Sequence, residues 1–257
     1  MTLKARRTML AFLVLLACGG VGATFAAFTD TTTTSGSSFN SAVTFLDHVK
    51  EIGDAGCGVT SDTVTIPAGG VPAGNTLIVR VGFQDRGAMG FAVSLGDSQG
   101  NAYQLDVNQI QAPVRASIYR AFITAPLAAG DTITLTHPDI DSTAIAVTEF
   151  RGVDAGAPDQ VAANGGGGTD PTASVTSTNA NDLLIGVVAH DEFNSKTNPA
   201  GWAVLPTVTE DCGVPPPHTL LSLYGGYRIE SSTGSFTFDP TLGTYRTWVD
   251  EVVAYRG

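Results

Sequence analysis

Short stretches of β-branched and aromatic residues, separated by turn signals, constrain the fold of this chain more than any other feature. Examples are SDTVTI (61–66), NTLIVRVGF (75–83) and DTITLTH (131–137). Runs of this length and spacing are typical of antiparallel strands. Helical periodicity of useful length is missing, although SAVTFLDHVKEI (41–52) fits a short helix as well as a strand that leads into the body.

About a dozen such strands predict an all-β fold, an antiparallel two-sheet sandwich of the jelly-roll kind. The run GGGG (165–168) fits a flexible loop, although strands resume directly after it. The stretches 63–83 and 172–190 share a layout of alternating strand, turn with Asn, and buried strand. This shared pattern fits two halves of a sandwich that face each other. It also fits the alternation of strands and turns that is common to β-sheet proteins in general, which is the explanation we favour.

The first 27 residues have the pattern of an export signal. A short basic stretch is followed by LAFLVLLACGGVGATFAAF (10–28), which is rich in Gly and Ala and fits a cleaved signal better than an anchor. We therefore predict a signal peptide at 1–27, an extended arm at 28–47 and a β-sandwich domain at 48–257. The competing cleavage site is LLAC (15–18), which resembles a lipobox in which Cys18 would be lipidated.

The end of the leader and the residues after it resemble the export leader and mature start of TasA and camelysin-type proteins, which are processed by a SipW-type signal peptidase. The resemblance covers about residues 1–47, and Val43 stands where that family usually has Gly. It implies that the mature N-terminal segment complements the sheet of the next subunit and builds filaments. The matching residues are Phe25, Ala26, Ala27, Phe28, Asp30, Phe39, Ser41, Ala42 and Thr44.

The arm itself has features that suit strand addition. Thr31–Thr34 have high β-propensity, Gly36 disfavours a helix, and Phe28 and Phe39 place one apolar side chain at each end. An extended segment of this kind adds to an open sheet edge through its backbone hydrogen bonds. The contacts to a neighbouring copy would then come from Phe28, Asp30, Thr31, Thr33 and Phe39. A polar spacer between the cleavage site and the domain is the simpler alternative.

The body resembles sandwich domains that recur in bacterial surface proteins and have no agreed activity. The stretches that carry this likeness are IPAGGVPAGNTLIV (66–79), DSQGNAYQLD (97–106), GDTITLTHP (130–138) and TEFRGVD (148–154). Formal net charge is −11, and it becomes −14 without Lys4, Arg6 and Arg7. So acidic a surface repels nucleic acid and anionic lipid, and we expect neither as a partner after signal cleavage.

Two cysteines stay with the predicted mature chain. Export places them in an oxidising compartment, so we expect Cys57 and Cys212 to form a disulfide. Each lies beside a Gly in a turn-like stretch, AGCGV and DCGVP. Two buried free thiols are the alternative.

The residues that could catalyse a reaction form no recognised motif, so we expect no enzyme. H-E-x-x-H and G-x-S-x-G are both absent, and the glycine run lacks the Lys of a phosphate-binding loop. His190, Asp191 and Glu192 would have to meet His218 to form a metal site, and ordinary loop positions are the simpler explanation. Calcium is the one cofactor that we weigh, with Asp139 and Asp141 in HPDIDS as its best ligands.

We therefore expect a secreted, non-enzymatic structural protein at the cell surface, a subunit of an extracellular filament or biofilm matrix that self-associates by donor-strand complementation. The alternative is a carbohydrate-binding or adhesive module that binds glycans. Such a module needs exposed rings clustered on one concave face. The candidate rings are Trp202, Tyr224, Tyr227, Tyr245 and Trp248.

Overall fold

The computed structural model describes residues 44–53 (backbone only), 59–87, 89–192, 195–212 and 220–257. These residues form strands and turns without any helix, and hence without a helix that could span a membrane. The expected all-β antiparallel sandwich is confirmed. The described residues all belong to one compact unit.

The described part of the chain forms strands in two successive sets. The first half comprises β1 (Thr44–Gly53), β2 (Ser61–Thr65), β3 (Thr76–Gln84), β4 (Ser94–Asp97), β5 (Gln104–Gln111), β6 (Val114–Phe122), β7 (Thr132–Thr136) and β8 (Ser142–Arg151). The second half comprises β9 (Gln160–Gly168), β10 (Ala173–Thr176), β11 (Asp182–Asp191), β12 (Lys196–Thr197), β13 (Ala203–Asp211), β14 (Leu220–Glu230), β15 (Ser235–Phe238), β16 (Thr241–Leu242) and β17 (Arg246–Arg256).

Each half contributes one five-stranded antiparallel sheet, and the two sheets have the same topology. The strand order is β1-β8-β3-β6-β5 in the first half and β9-β17-β11-β14-β13 in the second. Each half also pairs its second strand with a short strand that precedes its last long one, β2 with β7 before β8 and β10 with β15 before β17. The halves are therefore two copies of one strand arrangement. The likeness between residues 63–83 and 172–190 thus reflects two halves that face each other, and our preference for a chance likeness was wrong.

Two details, one of backbone conformation and one of sequence, show which residues of the two halves are equivalent. Gly74 and Asn181 both have a positive φ, 90° and 64°, just before β3 and β11. Both halves also end on an aromatic residue followed by Arg-Gly, FRG at 150–152 and YRG at 255–257. Both details equate Thr76 with Leu183, because these two residues lie opposite the two aromatic residues in the sheets.

The sheets stack in four layers with three apolar cores between them. The two five-stranded inner sheets face each other across a central core that includes Ile78, Phe150, Leu183 and Tyr255. The opposite face of the first inner sheet is covered by the β2-β7-β4 sheet, and that of the second by the β10-β15 pair. Because the inner strands are covered on both faces, they are buried along almost their whole length, as β3 and β11 show.

The halves pack on each other about a pseudo-two-fold axis. Strand β5 lies over β9 and β17, and the equivalent strand β13 lies over β1 and β8. Gly82 and its equivalent Ala189 meet near this axis, where a side chain on Gly82 would contact Ala189. The axis leaves the edges of the two inner sheets side by side at both ends of the interface.

Two segments that the sequence left open are strands. Most of SAVTFLDHVKEI (41–52) lies in β1 (Thr44–Gly53), which pairs with β8, and the strand crosses the arm–domain boundary that we placed after residue 47. The glycine run at 165–168 is the second half of β9 rather than a flexible loop. The glycines are required because neighbouring side chains lie on the strand: a Cβ on Gly165 would come within 2.9 Å of Gln111, and one on Gly166 within 2.9 Å of Trp248.

Candidate functional site

The inner sheets end on four edge strands, and three of these are modified in ways that discourage pairing. The ladders of β1, β5 and β13 each contain a register shift. Each of these strands also carries charged residues, and β13 contains Pro206. Bulges, charges and proline are the usual means by which edge strands avoid intermolecular pairing.

The fourth edge, β9, has none of these protections. Its nine residues pair with β17 from Arg246↔Gly168 to Ala254↔Gln160 without a register shift. Its sequence, QVAANGGGG, contains neither charge nor proline. The outer side of this strand is therefore a regular, uncharged row of backbone groups at the sheet edge.

A groove of about 450 Å³ lies beside the start of β9, where β5 and β9 come together between the halves. Its floor holds a connected set of polar groups, in which Arg120 and Tyr255 are buried and Gln104 is exposed. The Arg120 guanidinium donates to Asp106 at 3.3 Å, to Gln104 Oε1 at 2.8 Å and to the Ala155 carbonyl at 2.9 Å. The Tyr255 hydroxyl donates to Asp106 Oδ2 at 2.9 Å. These contacts hold the floor of the groove in one arrangement.

Two carboxylates of the groove differ in their titration. Burial raises the pKa of Asp106, and the Tyr255 hydroxyl and Arg120 only partly oppose that shift. Burial also acts to raise the pKa of Asp159, but hydrogen bonds from Thr178 and Arg256 outweigh it and leave the pKa lowered. Each carboxylate has a guanidinium partner, so the groove offers little net charge to a ligand.

Apolar side chains form the rim of the groove. Leu105 and Val161, which lie on β5 and β9, are 50% and 48% exposed. Among the described residues, four of the six large exposed apolar side chains lie on edge strands of the inner sheets. Those four are Leu105, Ile110, Val161 and Val204.

A second set of unusual groups is buried on the outward face of the second inner sheet. His190 Nδ1 donates to the Asp191 carbonyl at 3.2 Å, while His190 Nε2, Trp248 Nε1 and both Asp250 oxygens find no partner within the described residues. Burial lowers the pKa of His190 to about 4, with Lys196 and Arg246 acting in the same direction. Burial, with the charges of Glu251 and Asp239, raises the pKa of Asp250 well above its usual range.

The first half has different residues at the equivalent positions of its own inner sheet. Register equates His190 with Phe83 and Asp250 with Ile145, both of which lie in an apolar core. No group of three or more His, Cys, Asp or Glu able to hold a metal occurs in the described part of the chain. We therefore assign no metal to this buried polar set.

The predicted site residues lie in several places. Phe28, Asp30, Thr31, Thr33, Phe39, Cys57 and His218 lie outside the described residues, so the arm contacts and the disulfide stay predictions. Cys212 donates from Sγ to the Asp141 carbonyl at 2.5 Å. Asp139 and Asp141 lie between β7 and β8, where Asp141 Oδ2 accepts the Arg86 backbone N–H at 3.3 Å, and the calcium assignment also stays a prediction.

The aromatic candidates for glycan binding are mostly core residues. Trp202, Tyr224 and Trp248 are buried, and Trp202 donates from Nε1 to the Thr237 carbonyl at 2.9 Å. Tyr227 is partly buried against the central core. Tyr245 is 69% exposed and lies against Gly167 of β9. The five rings therefore form no exposed cluster.

Fold and site together define an all-β protein with two repeated sandwich halves and an open edge strand beside a groove. No family model, no curated protein and no solved structure matches the chain. The chain's own residues are therefore the only basis for assigning it a function.

Proposed function

We propose that the chain is an exported, non-enzymatic structural protein that self-associates into an extracellular assembly by adding its N-terminal arm to a sheet edge of a neighbouring copy. One observation carries this proposal: exposed apolar side chains concentrate on the edge strands of the inner sheets. Large apolar side chains at an open edge favour association through that edge.

The chemistry of the described residues also favours a structural role over catalysis. The groove's charged groups are engaged with one another through Arg120–Asp106 and Arg256–Asp159. His190 is buried and holds a low pKa, so it is a poor general base at neutral pH.

The experiment that tests the proposal compares two forms of the chain, residues 28–257 and residues 40–257. We expect the longer form to polymerise at high concentration and the shorter form to stay monomeric, as seen by electron microscopy and sedimentation. Monomeric behaviour of both forms would refute the proposal. Polymers formed equally well by both would show that the arm is not needed.

A further inference from the structure

We propose that β9 (Gln160–Gly168) is the edge that receives the arm, and that the occupant is the segment 28–39 of a second copy of this chain. This inference rests on the proposed function and adds the acceptor surface to it. The groove beside Gln160 and Val161 would seat one of the arm's two Phe side chains.

The first argument is that β9 differs from the other three inner edges. A register shift moves backbone groups out of the regular row that an added strand needs, and β1, β5 and β13 each contain one. The β9 ladder is regular over all nine of its residue pairs with β17. Among the inner-sheet edges, β9 therefore presents the longest regular row of backbone groups to an incoming strand.

The second argument is electrostatic. The chain carries a net charge of −11, so two copies repel each other unless the surfaces that meet are uncharged. Strand β9 has no charged residue, and the stretch TTTTSGSSF (31–39) has none. Asp30, near the start of the arm, is the one charged side chain in segment 28–39, so nearly the whole arm can approach β9 without a charge penalty.

The third argument is dimensional. Eight residue steps of β9 span about 27 Å, and eleven steps from Phe28 to Phe39 span about 37 Å when extended. The arm is therefore long enough to cover the whole edge with a Phe beyond each end. Because side chains alternate along a strand, Phe28 and Phe39 point to opposite faces, and only one can face the groove.

The apolar rim explains where that Phe would sit. Leu105 and Val161 expose about half of their side chains at the mouth of a groove whose lining also includes Ala157 and Pro158. An aromatic anchor buries much apolar area in such a place, while backbone pairing along β9 supplies the hydrogen bonds.

The test uses two matched variants of the full mature chain, Val161→Lys and Val204→Lys. Both valines are half exposed, 48% and 50%, and both lie on an edge strand of an inner sheet, β9 and β13. Both variants change the net charge equally. We expect Val161→Lys to lower the sedimentable fraction at least tenfold and Val204→Lys to leave it unchanged, with circular dichroism showing that both variants are folded.

Four possible results would distinguish a wrong acceptor strand from a wrong proposed function. If wild type polymerises and Val161→Lys does so equally, β9 is not the acceptor, whereas the proposed function stands. If Val204→Lys alone blocks assembly, the acceptor is β13. If both variants block it, the added charge acts without regard to place and the inference is wrong. If the wild-type mature chain stays monomeric, the proposed function itself fails.

Discussion

The two halves have one topology and different chemistry. Where the first inner sheet places Phe83 and Ile145 in an apolar core, the second places His190 and Asp250. The first strand of the first half, β1, is bulged and charged, whereas its equivalent β9 is regular and uncharged. The strand arrangement thus tolerates large changes of residue type, and the second half carries the features that packing alone does not explain.

The comparison also shows how the halves have adapted to each other. Arg80 of the first half is fully buried in the interface and reaches the Pro206 carbonyl at 3.4 Å. Its guanidinium lies against Gly225, where a Cβ would overlap it, and the first-half equivalent of Gly225 is Ile118. The exchange of a large residue for Gly makes room for Arg80, so the halves are no longer interchangeable.

Among the residues that differ between the halves, Glu251 is expected to have the largest effect on the free energy of unfolding. It lies where the first half has Ala146. Burial raises the Glu251 pKa from 4.5 to about 8, and the Gln109 backbone and the Arg115 charge offset only a part of the shift. The folded state thus keeps a proton that the unfolded chain releases above pH 4.5. Stability should fall by about 3 kcal/mol between pH 5 and pH 8, at about 1.4 kcal/mol per pKa unit.

Urea unfolding of Glu251→Gln at both pH values measures this effect. The variant should lose much less stability than wild type over the range, because the neutral amide does not titrate. Asp170→Asn, which changes an exposed carboxylate, is the control and should follow wild type. A wild-type urea midpoint that rises from pH 5 to pH 8 would contradict the expected sign.

A second exchange between the halves should be destabilising. Gly186 is equivalent to Val79, and a Cβ on Gly186 would overlap the Phe238 ring, which packs on Trp202 at 4.9 Å between ring centroids. Gly186→Val should therefore cost about 2–3 kcal/mol of unfolding free energy in urea. Gly96→Ala, where nothing lies within 4 Å of the new Cβ, is the control. Equal stability of the two variants would mean that the second outer layer is loosely packed.

A third exchange should stabilise the chain. Asp250→Val replaces a buried carboxyl that has no hydrogen-bond partner among the described residues with an apolar side chain, and the first half has the apolar Ile145 at the equivalent position. We expect a gain of about 1–2 kcal/mol at pH 7, measured by thermal or urea unfolding. The reverse change, Ile145→Asp, should destabilise strongly. A loss on Asp250→Val would indicate that the carboxyl serves a bound group.

The smallest effect is expected at the repeated Arg that follows each terminal aromatic residue. Arg256 is 43% exposed and lies 3.1 Å from Asp159, whereas its equivalent Arg151, also exposed, forms no ion pair with another described residue. Arg256→Leu should cost about 0.5 kcal/mol, and less at high salt. Arg151→Leu should change nothing measurable. A measurable stability cost of Arg151→Leu would show that the two arginines do not differ in their contribution to stability.

The strands could be predicted from the sequence because alternation and turn residues are local signals. TVTI, TLIVRVGF and TITLT lie in β2, β3 and β7 or directly beside them. The stacking of the halves could not be predicted in this way, because it depends on pairings between strands far apart in the chain. The repeat FRG and YRG was the available signal, and it becomes informative only when both triplets are seen to end equivalent strands.

The candidate site shows the same limit. GGGG lacks side chains of its own and fits a loop, and its strand form follows from Trp248 and Gln111 lying across it. The buried state of Trp202 and Tyr224 also depends on Phe238, which comes later in the chain. Polar groove residues such as Gln104 and Arg120 belong to no motif and meet only through the packing of β5 on β9.

Amide hydrogen exchange on the polymerised and monomeric mature chain tests the central claim most directly. Strands β9 (Gln160–Gly168) and β1 (Thr44–Gly53) are equivalent edges of the two inner sheets, so β1 serves as the internal reference. We expect polymerisation to slow exchange along β9 and to leave β1 unchanged, because the arm would cover only the regular edge. Slower exchange at β1 with β9 unchanged, or polymers with no change at β9, would contradict the account.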